Sequence, residues 1–393
     1  MAERRSPATI LPRLPRLTLI SLALLGACQL HSDHAPQAAD PAPAGSARAV
    51  LPPPVDPVVA PRSTIVTLTP AIPSAAVALD ARLRRLGEGF RGEVGLAVRD
   101  VQTGWTSHYN GLDYFPQQSV SKLWVAVSLL DRVDRGALGL GDRVTVSADD
   151  LTLFHQPIRP LALKPGGFRT TNEDLLVRAL TQSDNTANDR LLREVGGPDA
   201  VRDTLARKGL MGIRFGPGER PLQSGIAGLE WKPAYAQGGG FYAARDTLPD
   251  AVRRAAFDGY VADPVDGATP FGIVDALARL KTGQLLSTGA TEQMMDIMSH
   301  TRTGPQRLKG GLPPGWTLSH KTGTGQVFQG EQAGYNDVGI LTAPDGRAYS
   351  VAVLIGRTAR PLPERMALMQ AVVRATVAYD AALATQREAA AAD

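Results

Sequence analysis

LDARLRRLGEGFRGEVGLAV, residues 79–98, changes its hydrophobic period partway along. Leu79, Leu83, Leu86 and Phe90 recur at the spacing that puts side chains on one face of a helix, whereas Val94, Leu96 and Val98 alternate as they do on a strand. A helix therefore leads into a strand. Gly104 turns the chain into a second strand around Trp105–Tyr109, and an apolar helix follows from Val120 to about Val133, closed by Gly136. Far along the chain come strand patterns at Trp316–His320, Val338–Thr342 and Tyr349–Ile355, then a last helix from Pro363 to about Ala381. The middle is mostly helical, with patterns at Glu173–Leu180, Asn185–Val195, Ala200–Lys208, Ile273–Leu280 and Thr291–Met298. Strands at both ends with helices between predict an α+β sandwich: one antiparallel five-stranded sheet flanked by the terminal helices, with an inserted all-helical lobe. The reading puts a catalytic domain in residues 74–385, with a sheet lobe in 74–118 and 270–385, a helical lobe in 119–269, and a disordered tail in 386–393. A site is expected in the cleft between the lobes.

The 393 residues are 43% hydrophobic and 20% charged, which is enough apolar material for a sizeable core. A net charge of +4, with Lys and Arg scattered among Asp and Glu, gives no support to nucleic-acid binding. Arg4, Arg5, Arg13 and Arg16 precede an apolar stretch, Leu17–Leu25, too short to span a bilayer, so residues 1–27 read as a signal peptide. It ends in Leu25-Gly26-Ala27-Cys28, which resembles the lipobox of bacterial lipoproteins. Cys28 is the only cysteine and the expected lipidation site. Gln29 rather than Asp follows, which by the Gram-negative sorting pattern favours the outer membrane, facing the periplasm. Residues 28–73, with ten prolines, read as a Pro/Ala-rich tether that cannot bury enough apolar surface to offset the entropy of ordering it.

Three short motifs carry chemistry. Ser119-Val120-Ser121-Lys122 is the single S-x-x-K in the chain, set at the start of an apolar helix where free backbone amides favour developing negative charge. A lysine one turn on reaches the serine hydroxyl, and when buried it serves as a base or as a charge that lowers the hydroxyl's pKa. Ser183-Asp184-Asn185 stands between two helices, where it also suits an ordinary helix cap. Lys-Thr-Gly occurs twice. Lys281-Thr282-Gly283 ends a helix and reads as a C-cap, whereas Lys321-Thr322-Gly323 follows an apolar strand and runs on into Thr324, offering a cation, hydroxyls and a backbone N–H.

A nucleophile pair, a mid-chain Ser-Asp-Asn and a strand Lys-Thr-Gly are the trio of class A β-lactamases and penicillin-binding proteins. Residues 74 to about 383 resemble class A β-lactamases, supported by Asp263-Pro264-Val265-Asp266 before Thr269-Pro270 and by Asn336-Asp337-Val338-Gly339-Ile340. The resemblance implies a serine β-lactamase cycle on small β-lactam substrates, carried out by a monomer with no metal or cofactor. Ser119 is then the nucleophile, Lys122 or Glu219 through a water its base, and Ser183 the proton relay. The N–H groups of Ser119 and Thr324 form the oxyanion site, and Asn185, Lys321, Thr322, Gly323, Thr324 and Gln223 bind substrate.

What separates a lactamase from a D,D-peptidase of this fold, or from a penicillin-sensing lipoprotein that is acylated once, is a glutamate that activates the hydrolytic water. Glu219-Arg220-Pro221-Leu222-Gln223 resembles the family's E-x-x-L-N, with Gln223 where the family has asparagine. Two features depart from the family: the arginine usual before the glutamate is replaced by Pro217-Gly218, and the omega loop is lengthened by roughly thirty residues before Asp263. That length makes Glu230 a rival to Glu219 as the water-activating base.

Overall fold

The computed structural model of the protein describes residues 74–392. The signal peptide, Cys28 and the tether lie outside the described residues. Ser74–Glu88 is helical, with Leu79 and Leu83 buried on one face, and it packs against the final helix, Leu362–Ala392. The tail expected to be disordered from residue 386 is therefore corrected. The helix continues to Ala392, through a run of alanines that are the strongest helix formers, and Gln386 Nε2 donates to Ser74 Oγ at 2.6 Å.

The sheet is antiparallel, in the spatial order Thr106–Tyr109, Val94–Asp100, Ala348–Thr358, Glu331–Thr342, Thr317–Thr324. A sixth strand of two residues, Val327–Phe328, pairs with Glu331 and Gln332 and adds to the five expected. Alternation decides which face each side chain serves. Leu96, Val98, Val351 and Val353 pack with the terminal helices, while Ala97, Ala352 and Leu354 join the larger core of the helical part. Both faces are apolar because both are covered.

The helix Lys122–Asp134 runs through that larger core with Leu123, Val127 and Leu130 buried, which fixes the residues at its start as firmly as the core itself. The lengthened segment, whose structure the sequence left open, is mostly helical, with Gly240–Asp246 and Asp250–Ala262 as helices after a single turn at Pro233–Ala236. Phe257, Tyr260 and Val261 share a helical face and bury it against Leu222 and Ile226, so this segment has a small core of its own.

Candidate active site

Ser119 lies in a single helical turn, Gln118–Ser121, directly ahead of the helix that begins at Lys122. Lys122 is fully buried, and its Nζ donates to Ser119 Oγ at 2.8 Å and to Glu219 Oε1. One ammonium thus joins the two residues read as nucleophile and water activator. Glu219 begins the helix Glu219–Ile226, where its position at the N-terminus suits a carboxylate. Its backbone N–H donates to Asp189 Oδ1 at 3.1 Å. Burial, then the neighbouring Glu219 charge, pushes the Asp189 carboxyl up to about 7. Gln223, one turn along, donates from Nε2 to Glu219 Oε2 at 3.3 Å. Glu230 is exposed, beyond the end of that helix, so the structure leaves Glu219 and not its rival beside Lys122.

The other side of Ser119 is built from the sheet. Lys321 is fully buried, and its Nζ donates to Ser183 Oγ and to Thr322 O, both at 2.9 Å. Burial, with Lys122 and Arg307 nearby, holds the Lys321 ammonium well below the usual lysine range. Ser183 sits at φ 59° and Gln118 at φ 52°, left-handed conformations that cost a residue with a side chain about 1–2 kcal/mol each. Asp184 holds the first of these turns: its carboxylate accepts from Ala187 N at 3.0 Å and Ile158 N at 2.6 Å, and so caps the helix Asn185–Glu194. Asn185 Nδ2 donates to Leu153 O at 2.9 Å. Gly323 is required by close approach, since a Cβ there would lie 2.3 Å from Gln117 O. Asn336 Nδ2 ties the next strand to the same place, donating to Pro116 O at 2.7 Å and Gln117 O at 3.1 Å.

These pieces enclose a cavity of about 390 Å³ lined by Ser119, Ser183, Asn185, Gln223, Thr322 and Thr324. Two residues that the sequence reading did not single out complete its sheet side. Arg307 donates to Gly323 O at 2.9 Å, Asn336 O at 2.7 Å and Thr324 Oγ1 at 2.6 Å, and its guanidinium lies 3.8 Å from the Tyr335 ring centroid. Thr303 Oγ1 is 2.6 Å from Thr322 Oγ1. Neither stands in a motif, and folding alone brings them to the strand. Among the described residues, no group of three or more His, Cys, Asp or Glu side chains is placed to hold a metal ion.

A helix-start serine bonded to a buried lysine, faced by a second lysine and serine across a cleft between sheet and helices, defines the class of active-serine acyl-transfer enzymes. A model of the beta-lactamase enzyme family matches residues 78–381, and the chain belongs to that family. It is 28% identical over 293 residues to the extended-spectrum beta-lactamase PER-1 of Pseudomonas aeruginosa, covering 74% of this chain and 84% of that protein. Beta-lactamase VEB-1 of the same organism is 26% identical over 281 residues, covering 71% of this chain and 83% of its own. A crystal structure of a beta-lactamase from Chitinophaga pinensis DSM 2588 superposes with a TM-score of 0.63 at 27% identity, covering 77% of this chain and 99% of that one. The α+β fold read from the sequence is the fold of these relatives.

Proposed function

We propose that the chain is a serine β-lactamase, a hydrolase of cyclic amides that opens the lactam through an acyl-enzyme on Ser119 and then hydrolyses the ester. The observation that carries this reading is the Lys122 ammonium held between Ser119 Oγ and Glu219 Oε1. Ser119 Oγ attacks the lactam carbonyl carbon while Glu219 through a water, or Lys122 once it has handed its own proton to Glu219, takes the hydroxyl proton. The carbonyl oxygen becomes an oxyanion between the N–H groups of Ser119 and Thr324, where each preorganised donor lowers the barrier by about 3 kcal/mol. Ser183, bonded to Lys321, passes a proton to the departing lactam nitrogen. Lys321, Thr322, Gly323 and Thr324 receive the substrate carboxylate, and Asn185 the side-chain amide. Glu219 and Gln223 then orient a water; Glu219 takes its proton as it attacks the ester and returns that proton to the departing Ser119 oxygen.

Nitrocefin hydrolysis by the purified protein tests the cycle. Ser119→Ala abolishes it, Glu219→Gln leaves a long-lived adduct, and Glu230→Gln turns over like the wild type. A wild-type protein that forms a stable adduct and releases no product sinks the proposal in favour of a D,D-peptidase or a sensing lipoprotein. The same reading anchors the protein to the outer membrane through lipidated Cys28, facing the periplasm, on the strength of Leu25-Gly26-Ala27-Cys28. Among the described residues no helix is long and apolar enough to cross a membrane. Palmitate labelling checks the anchor: the wild type incorporates label and Cys28→Ser does not, whereas equal labelling contradicts it.

A further inference from the structure

Asp263-Pro264-Val265-Asp266 and the helix before it have no part in the cycle above, yet they touch the residue that precedes the nucleophile. Besides the bond its carbonyl accepts from Ser121 Oγ at 2.8 Å, Gln118 makes three bonds toward this segment and the helix of Glu219. Its backbone N–H donates to Asp266 Oδ2 at 2.8 Å, its Nε2 donates to Tyr260 OH at 2.6 Å, and its Oε1 accepts from Gln223 Nε2 at 3.0 Å. Tyr260 OH in turn donates to Asp266 Oδ1 at 3.0 Å, which closes a ring of hydrogen bonds. All four residues are buried. The Gln118 side chain has little room to move, because a Cβ at Gly334 would lie 2.8 Å from its Cγ and one at Gly325 would lie 3.1 Å from its Cδ. The backbone of Asp266 is held as well, its carbonyl accepting from Gln117 Nε2 at 2.5 Å.

The ring has two outlets. Through its backbone, Gln118 sets the peptide that carries the Ser119 N–H, and it does so in a left-handed conformation that a non-glycine residue keeps only when its surroundings impose it. Through its side chain, Gln118 holds the Gln223 amide, and that amide also donates to Glu219. We propose that Tyr260 is a positioning residue for the reaction: through Asp266 and Gln118 it fixes the nucleophile's oxyanion donor on one side and the Gln223 amide beside Glu219 on the other. The proposal rests on the reading of Ser119 as nucleophile and Glu219 as water activator. It also accounts for the neck of the long insert, which lacks the arginine usual before Glu219: Asp266 finds its donors in the Gln118 N–H and the Tyr260 hydroxyl instead. The hydroxyl is therefore doubly committed, as donor to the carboxylate and as acceptor from the amide.

The electrostatics add a readout. Burial pushes the Asp266 carboxyl up to about 6, the Tyr260 and Gln118 donors pull it back down, and the charge of Glu219 raises it. These are the groups that face it from the helix Asp250–Ala262, from the nucleophile turn and from the helix Glu219–Ile226.

Tyr260→Phe keeps the ring that packs with Phe257 and Leu222 and removes only the hydroxyl. Acylation and deacylation of the full-length protein are measured in single-turnover experiments with nitrocefin from pH 5 to 9, beside the melting temperature. The expected result is a fall of about 10- to 100-fold in kcat with a small change in KM, deacylation slowed at least as much as acylation, and an acid limb moved to higher pH as Asp266 loses a donor. Asp266→Asn, which cannot ionise, should flatten that limb and serves as the second variant if Tyr260→Phe folds poorly. An unchanged acid limb in both, or a loss of rate fully explained by unfolding, overturns the inference. Failure of the wild type itself to acylate at Ser119 overturns the underlying reading instead.

Discussion

The tripeptide Lys-Thr-Gly stands at 281–283 and again at 321–323, and the two copies share composition and nothing else. The first closes the helix Pro270–Lys281: Thr282 Oγ1 bonds back to Ala278 O at 3.0 Å, Gly283 takes φ 72°, and both residues are exposed. The second lies within the strand Thr317–Thr324, fully buried at Lys321, with its glycine pressed against Gln117 O. The first copy is half-buried at Lys281 and exposed beyond it, whereas a second lysine, an arginine and a serine hydroxyl surround Lys321. Side-chain chemistry is therefore set by what the fold removes from solvent and brings alongside, which three letters of sequence do not contain.

Substitutions at matched positions sharpen the contrast. Lys321→Ala removes the buried amine that donates to Ser183 and should lower kcat/KM for a penicillin by about 100-fold or more, as losing one preorganised donor does in comparable sites. A fall of less than about 3-fold in steady-state kinetics breaks the comparison. Gly323→Ala forces a methyl group into backbone and should cost about 1–3 kcal/mol, read as a lowered melting temperature.

Asp189 extends the same lesson to a carboxylate, with a smaller effect. Its folded pKa of about 7 stands above the roughly 4 of an unfolded chain, so the stability it contributes is full below about pH 4 and declines as pH rises through about 7. Asp189→Asn keeps an oxygen for the Glu219 N–H and removes the titration. Its melting temperature should exceed that of the wild type at pH 8 and converge with it near pH 4, and the opposite trend contradicts the assigned shift. Gly283→Ala should cost only about 1 kcal/mol, the penalty for a side chain at positive φ. Lys281→Ala, on an open helix end, should leave activity unchanged and stability within about 0.5 kcal/mol.

Much of the architecture was legible because it rests on local periodicity. The switch at 79–98, the alternation at Tyr349–Ile355 and the apolar helix after Ser119 each show in a few consecutive residues. The structure of segment 224–262 stays open in the sequence because glycines at 238–240 and prolines at 233 and 249 punctuate it; the helical face of Phe257, Tyr260 and Val261 stands out only once its partners Leu222 and Ile226 are in place. The motif around Glu219 puts it ahead of Glu230, but spacing leaves the rival standing, since the choice depends on which carboxylate reaches Lys122 across nearly a hundred residues. Arg307, Thr303 and Tyr260 were missed for the same reason: each acts through partners brought together only by tertiary folding.

The central claim, a covalent ester formed on Ser119 and released with the help of Glu219, is tested most directly by intact-protein mass spectrometry of Glu219→Gln mixed with a β-lactam. The account predicts a mass increase equal to one whole β-lactam molecule, persisting for minutes, mapped to the Ser119 peptide, and too short-lived to see in the wild type. No adduct, or one carried by any other residue, contradicts it.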